Sequence, residues 1–179
     1  MNKKTIRTFS GIMRMVIMGS LYPLEFAMSR GSMEKSYPAC FIIGPPRSGT
    51  SLLYELMINR FKFSYISNLA NRFYMTPVSS TILGHKWIRQ WDGNFQSMFG
   101  HIKGCGAPNE GGNIWNRWYP EDFYLDESFL KEKEVKECRH TIYRLCKLMG
   151  DAPFLNKNVM HSVHMRLLDR IFSGCVFIE

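Results

Sequence analysis

The sequence predicts an α/β fold of the P-loop type, three layers α/β/α around a central parallel sheet, on three observations. Short apolar runs rich in β-branched and aromatic residues alternate with helix-period segments, the order that builds parallel sheets covered by helices. The first of these runs, Phe41-Ile42-Ile43, enters the Gly/Pro-rich turn Gly44-Pro45-Pro46-Arg47-Ser48-Gly49, and an apolar-periodic helix follows. Composition fits one globular domain: 179 residues, 45% apolar and 21% charged, suffice for a core and are too apolar for disorder.

Residues 1–38 read as a basic amphipathic segment and linker, and residues 39–179 as the domain. The apolar stretch Ile12 to Met28 is interrupted by Arg14, Pro23 and Glu25, too often for a spanning helix. It suits an amphipathic helix, packed on the domain or lying at a membrane surface; packing is the expected outcome. Ser29 to Pro38 links it to the first strand. The helix after the turn runs from Gly49 to Arg60, with Leu52, Leu53, Leu56 and Met57 as its inward face. Phe63 to Ile66 forms a second strand. From Asn68 to Gly112 the pattern is irregular and aromatic-rich, suited to pocket-shaping loops or to a helical insertion.

Asp126 caps a long helix carrying Glu127 in its first turn. Val135, Cys138, Ile142, Leu145 and Met149 share one face of that helix, Gly150 ends it, and the charges from Lys131 to Glu137 are solvated. Phe154–Asn156 is a third strand, His161–Phe172 a helix, and Cys175–Ile178 a fourth strand.

The turn carries the chemistry. Successive backbone N–H groups and a helix N-terminus at such a strand-to-helix turn wrap an anion. The spacing Gly44-x4-Gly49 fits the nucleoside-triphosphate pattern, but Thr50 stands where that pattern has lysine, and the positive charge lies at Arg47. The cradle is kept, and the lysine used for ATP and GTP is absent.

The string Pro46-Arg47-Ser48-Gly49-Thr50-Ser51 after an apolar strand resembles the 5′-phosphosulfate loop of sulfotransferases, which use 3′-phosphoadenosine 5′-phosphosulfate (PAPS) as sulfuryl donor. The resemblance implies that these six residues hold the donor's 5′-phosphate and that Arg47 neutralises charge on the bridging oxygen. No metal is then expected. Asn156-Lys157-Asn158, the helical segment bearing Arg166, and the following strand resemble the family's next elements. Val159 and Ser173 stand where the family often has proline. The match covers roughly 39–58 and 153–179. In the family, the strand matching Cys175–Ile178 leads into an arginine and a later serine that grip the donor's 3′-phosphate. Because the sequence stops at Glu179, the chain is expected to be a C-terminally truncated fragment that binds PAPS poorly and turns over slowly.

Sulfuryl transfer to a hydroxyl or amine needs a base. Ser67-Asn68-Leu69 occupies the place where one branch of the family carries a glutamate, so the carboxylate is sought elsewhere. Glu110 is the candidate, in the Gly/Pro-rich loop Gly106 to Gly112 before a helix starting at Asn113, with Trp115 and Trp118 near in sequence. His101 and His85 are the runners-up. Lys157, at a strand's C-terminal end, is expected to orient sulfate or phosphate. His161 and His164, spaced i, i+3, read as helix-surface residues.

Net charge is +8, from 23 basic and 15 acidic residues, favouring anionic ligands; no motif for specific nucleic-acid recognition is present. The five cysteines have no metal or disulfide spacing, which points to a reducing, cytoplasmic setting, with membrane-surface contact through the N-terminus as the peripheral variant. Cys40 and Cys175 are expected to be core thiols. The competing readings are a divergent P-loop kinase or NTPase and a non-catalytic phosphate- or nucleotide-binding module. The acceptor stays open among carbohydrate, lipid, small molecule and protein.

Overall fold

The computed structural model describes residues 3–29, 35–93, 95, 101–120 and 124–179. The sheet is small and fully parallel. Strands β1 (Ala39–Ile42), β2 (Phe154–Lys157) and β3 (Val176–Ile178) lie in the order β2-β1-β3, with Ile42 in register with Lys157 on one side and Ile178 on the other. The first strand is therefore central, and the loop leaving it emerges between its two neighbours. The chain is α/β.

Around the strands run α1 (Lys3–Ser29), α2 (Thr50–Arg60), the short helices α3 (Asn68–Arg72), α4 (Pro77–Leu83), α5 (His85–Arg89) and α6 (Gly112–Trp115), the long α7 (Glu132–Leu148), and α8 (Met165–Ile171). Two 3₁₀ turns, Glu127–Phe129 and Val159–Val163, precede α7 and α8. Strand alternation divides the core. Ala39, Phe41 and Phe154 join the α7 and α8 residues Val135, Cys138, Ile142, Leu145, Leu167 and Leu168 in one cluster. Ile42 and Leu155, from the alternate positions, join Tyr54, Tyr65 and Ile88 in the other. Phe41, fully buried, meets the rings of Phe154, Phe172, Trp115 and His161.

The expected face of α7 is the buried one, apart from half-buried Met149, and its charged start is largely exposed. Other local expectations are corrected. The segment from Phe63 to Ile66 is not a strand. Ser64 makes a single bridge to Phe154, and Ile66 then turns its carbonyl to the Asn109 N–H instead, so the segment is shared between β2 and the 107–109 loop. On α2, Leu52 and Leu56 are exposed while Tyr54 and Glu55 are buried. The reason is polar: Glu55 accepts from the Phe95 N–H and Asn59 from the Gly93 N–H, so this helix anchors a loop as well as a core. Asp126 caps the 3₁₀ turn through the Ser128 N–H; α7 starts later, where Glu134 accepts from the Lys131 N–H. Cys40 and Cys175 are half-buried, not sealed in the core.

The N-terminal segment is a helix packed on the domain through one stripe. Among its residues 11–28, Gly11, Arg14, Met18, Leu21, Glu25 and Met28, spaced alternately three and four apart, are the less exposed positions. Glu25 fixes it: one carboxylate oxygen accepts from the Val78 N–H at 3.1 Å and the other from the Ser79 N–H at 2.7 Å, at the first turn of α4. Glu25→Ala is expected to leave these buried amides unpaired and to lower stability by about 2–3 kcal/mol. Thermal unfolding would show this as a drop of roughly 5–10 °C, with α1 becoming protease-sensitive; an unchanged melting temperature would mean the helix docks by apolar contact alone.

Candidate functional site at the C-terminal edge of the sheet

Ile43 continues β1 by donating its N–H to the Ile178 carbonyl at 2.9 Å, after which the chain turns away as residues 44–49. Ser48 closes the turn, its hydroxyl donating to the Pro45 carbonyl at 2.8 Å. Arg47 and Gly49 both adopt left-handed backbone, with φ of 70° and 87°. Turns with such residues point neighbouring N–H groups into a shared concavity, the geometry of anion-binding nests. Gly49 is also the residue preceding α2, and having no side chain it offers no cap to the first-turn amides. Of the predicted donor residues, Pro46, Arg47, Ser48 and Gly49 lie exposed in the turn at the sheet's C-terminal edge, and Thr50 and Ser51, half-buried, open α2 directly after it.

Lys157 ends β2 at that same edge, beside Ile42. Its side chain is buried, 5% exposed, and its ammonium donates to a Glu110 carboxylate oxygen. Two residues 47 positions apart, each expected to do chemistry, thus form an ion pair. Glu110 remains 37% exposed at its side chain, so the pair is open to the cleft on the carboxylate side. The expected aromatic shelter takes another form: the Trp115 indole N–H donates to the backbone carbonyl of Glu110, at 3.1 Å, and so holds the loop while the carboxylate faces Lys157. Gly111 makes that loop possible. Its φ is +83°, and a Cβ there would come within 2.5 Å of the Ile66 side chain.

Asn156, pointing to the opposite face from Lys157, ties the site to its support. Its Oδ1 accepts from the Trp115 N–H at 3.2 Å and its Nδ2 donates to the Asn109 carbonyl at 3.2 Å. Because indole is only a donor, the Asn156 oxygen must face it. His161 Nε2, 2.7 Å from the same oxygen, is then the protonated nitrogen, and Nδ1 is left as a buried acceptor with no partner. Contrary to the surface placement expected, His161 and His164 are both 1% exposed. They sit on a 3₁₀ turn and at the start of α8, not on one continuous helix, and their rings pack edge-on against Phe41, Trp115 and Tyr119. Burial, then the nearby His164 and Lys157 charges, push the His161 pKa down to about 3, so it is neutral. The next residue, Ser162, accepts from the Gly44 N–H at 3.3 Å. The Val159–Val163 turn therefore links the loop after β1 to the residues that hold Glu110 and Lys157.

Glu110 opens into a cleft of 230 Å³ lined by His101, Asn71, Asn109, Asn113, Asn116 and Asn158, with Ile102 and Pro108 as its apolar side chains. His101 thus shares the Glu110 cleft. His85 does not: it lines a separate 430 Å³ cleft with Lys62, Tyr65 and Lys147. Arg166 is exposed on α8. Sequence reasoning missed Asn156, Tyr54 and His161. Tyr54, buried on α2, reaches the carbonyls of Leu155 and Asn109, and burial raises its hydroxyl's pKa well above the ordinary value. The one sequence signal for this network was polar Asn156 inside an apolar strand. Among the described residues no group of three metal-ligating side chains converges, and no helix is long and apolar enough to cross a membrane.

No family model, curated protein or solved structure matches the chain.

Proposed function

We propose that this chain carries the donor loop and acceptor-side carboxylate of a PAPS-dependent sulfotransferase with a P-loop-type three-layer domain, working in the cytoplasm. The observation that supports this reading best is the Lys157–Glu110 ion pair, set beside the end of β1 and joined through Ser162 to the Gly44 N–H of the anion-cradle turn. A cation for the donor and a carboxylate for the acceptor meet at the edge where α/β sheets bind ligands.

In this mechanism the 5′-phosphate rests on the amides and hydroxyls of Ser48, Thr50 and Ser51. The acceptor oxygen or nitrogen attacks sulfur in line, and the bond from sulfur to the phosphate oxygen breaks. Its electrons stay on the phosphate, where Arg47 and Lys157 offset the growing charge, and the acceptor's proton passes to Glu110. Lys157 has three N–H donors, enough to hold Glu110 in the resting state and engage the donor when it arrives. The asparagine-lined cleft favours an acceptor bearing hydroxyl groups, since each amide offers both a donor and an acceptor.

Glu110→Gln is nearly isosteric and cannot take the proton. It is expected to lower turnover in the full-length protein by about tenfold or more. An unchanged rate would remove Glu110 as base and pass the role to His101, which borders the same cleft.

A further inference from the structure

We propose that the Glu110 cleft continues into a second cleft beside α1, and that the joined groove binds a hydroxyl-rich carboxylic acid of the uronic-acid saccharide class, its carboxylate on Arg14. The second cleft measures 670 Å³, within the range of roughly 300–1,000 Å³ that encloses small-molecule ligands. Asn113 and Asn116 line both clefts and so make them one groove. Glu110 and His101 stand in one part of it, Arg14 and Arg117 in the other.

Arg14 identifies the charge of the ligand. It lies on the docked stripe of α1, half-buried, its Nε sealed from solvent with no hydrogen-bond partner. Among the described residues no carboxylate pairs with it. Glu25, on the same helix, accepts from the Val78 and Ser79 N–H groups, and Glu137, which lines the same cleft, lies 3.3 Å from Arg117. Arg117 also donates to the Tyr74 carbonyl at 3.3 Å and stacks over the Trp118 ring. The cleft therefore sets two guanidinium groups against one carboxylate, and the half-buried cation left over is stabilised by an incoming anion. One surplus positive charge suits a monoanion, and the planar guanidinium fork matches a carboxylate. The amides of Asn113 and Asn116 suit hydroxyl groups, and Tyr22 and Tyr74 add rings with a polar tip. That the bound acid is also the sulfuryl acceptor rests on the sulfotransferase reading; the binding itself does not.

Isothermal titration of the full chain without PAPS tests it, with two probes. Cellobiouronic acid is glucuronate joined to glucose, and cellobiose carries a hydroxymethyl group in place of that carboxylate. The acid is expected to bind about tenfold more tightly than cellobiose, and the preference to shrink as salt rises. Arg14→Gln removes a charge that has no resident partner, so it should keep the parent's melting temperature and bind the two sugars equally. Should that variant not fold, Met75→Glu decides: it places a carboxylate in the cleft from a position 39% exposed, and should also abolish the preference. The proposal is overturned if the parent does not prefer the acid, or if either folded variant keeps the preference. PAPS takes no part in the titration, so the two readings fail separately. A protein that prefers the acid and never binds PAPS retains this groove and loses the sulfotransferase reading. One that binds PAPS without preferring the acid loses this groove alone.

Discussion

Lys157→Met is expected to slow sulfuryl transfer by about 100- to 1,000-fold, the range for removing one preorganised donor at a developing oxyanion. Methionine preserves the apolar stem that fills the C-terminal end of β2 and deletes only the ammonium. The fold should survive. Glu110 loses its partner, but at 37% exposure its carboxylate can take water instead, so the stability cost should be only about 1–2 kcal/mol, below that of breaking a sealed pair. Steady-state kinetics distinguish the roles of this lysine. If it acts on charge that appears only in the transition state, kcat falls and the donor's KM stays nearly constant. A raised KM with kcat intact would make it a ground-state anchor for the donor, and no change in either would leave it as structural support for the Glu110 loop.

The second large effect is on stability in mild acid. His161 is buried among Phe41, Trp115 and Asn156, with a folded pKa of about 3. Unfolded, it titrates at its ordinary 6.5. Above pH 6.5 neither state carries the proton and the stabilisation is complete. Below it the unfolded chain gains a proton that the folded chain refuses, so stability falls as the pH drops from 6.5 towards 3. The loss approaches about 1.4 kcal/mol per pH unit. Denaturant titrations at several pH values above 4.5 separate the histidines from the depressed carboxylates, which act lower. Asp126, held down by the Ser128 N–H, and Asp151, held down by the Tyr37 hydroxyl, lose their contributions only below 3.8. His161→Gln should flatten the slope. The residue of slope belongs to His140, whose pKa is lowered by partial burial and by Arg144, Arg139 and Lys136. A slope identical in parent and variant would show that His161 is not the group refusing the proton.

Much of the scaffold was legible because its signals are local. An apolar run followed by Gly-Pro-Pro-Arg-Ser-Gly marks β1, its turn and α2, and a three-four spacing marks the buried face of α7. The residues of the candidate site stand out singly in the sequence, and their grouping does not. Local surroundings single out Glu110 and Lys157 separately, but their pairing depends on β2 lying in parallel register on β1, which no local pattern encodes. His161 and His164 depart from the surface expected of them because a 3₁₀ turn interrupts the helical period, and because a histidine inside an aromatic cluster looks in sequence like one on a surface. Glu55 escaped for the same reason: its partner is the Phe95 N–H, 40 residues away. The start of α7 lies later than the cap at Asp126 predicts, because that cap closes the short turn before α7 instead.

Equilibrium binding of PAPS to the protein expressed from its complete gene, with divalent metals chelated, tests the central claim most directly. Saturable PAPS binding is predicted, tighter than that of ATP and weakened about tenfold or more when Arg47 is replaced by alanine. Absence of PAPS binding, together with magnesium-dependent ATP binding that is indifferent to Arg47→Ala, would contradict the account and make the loop that of a nucleoside-triphosphate enzyme.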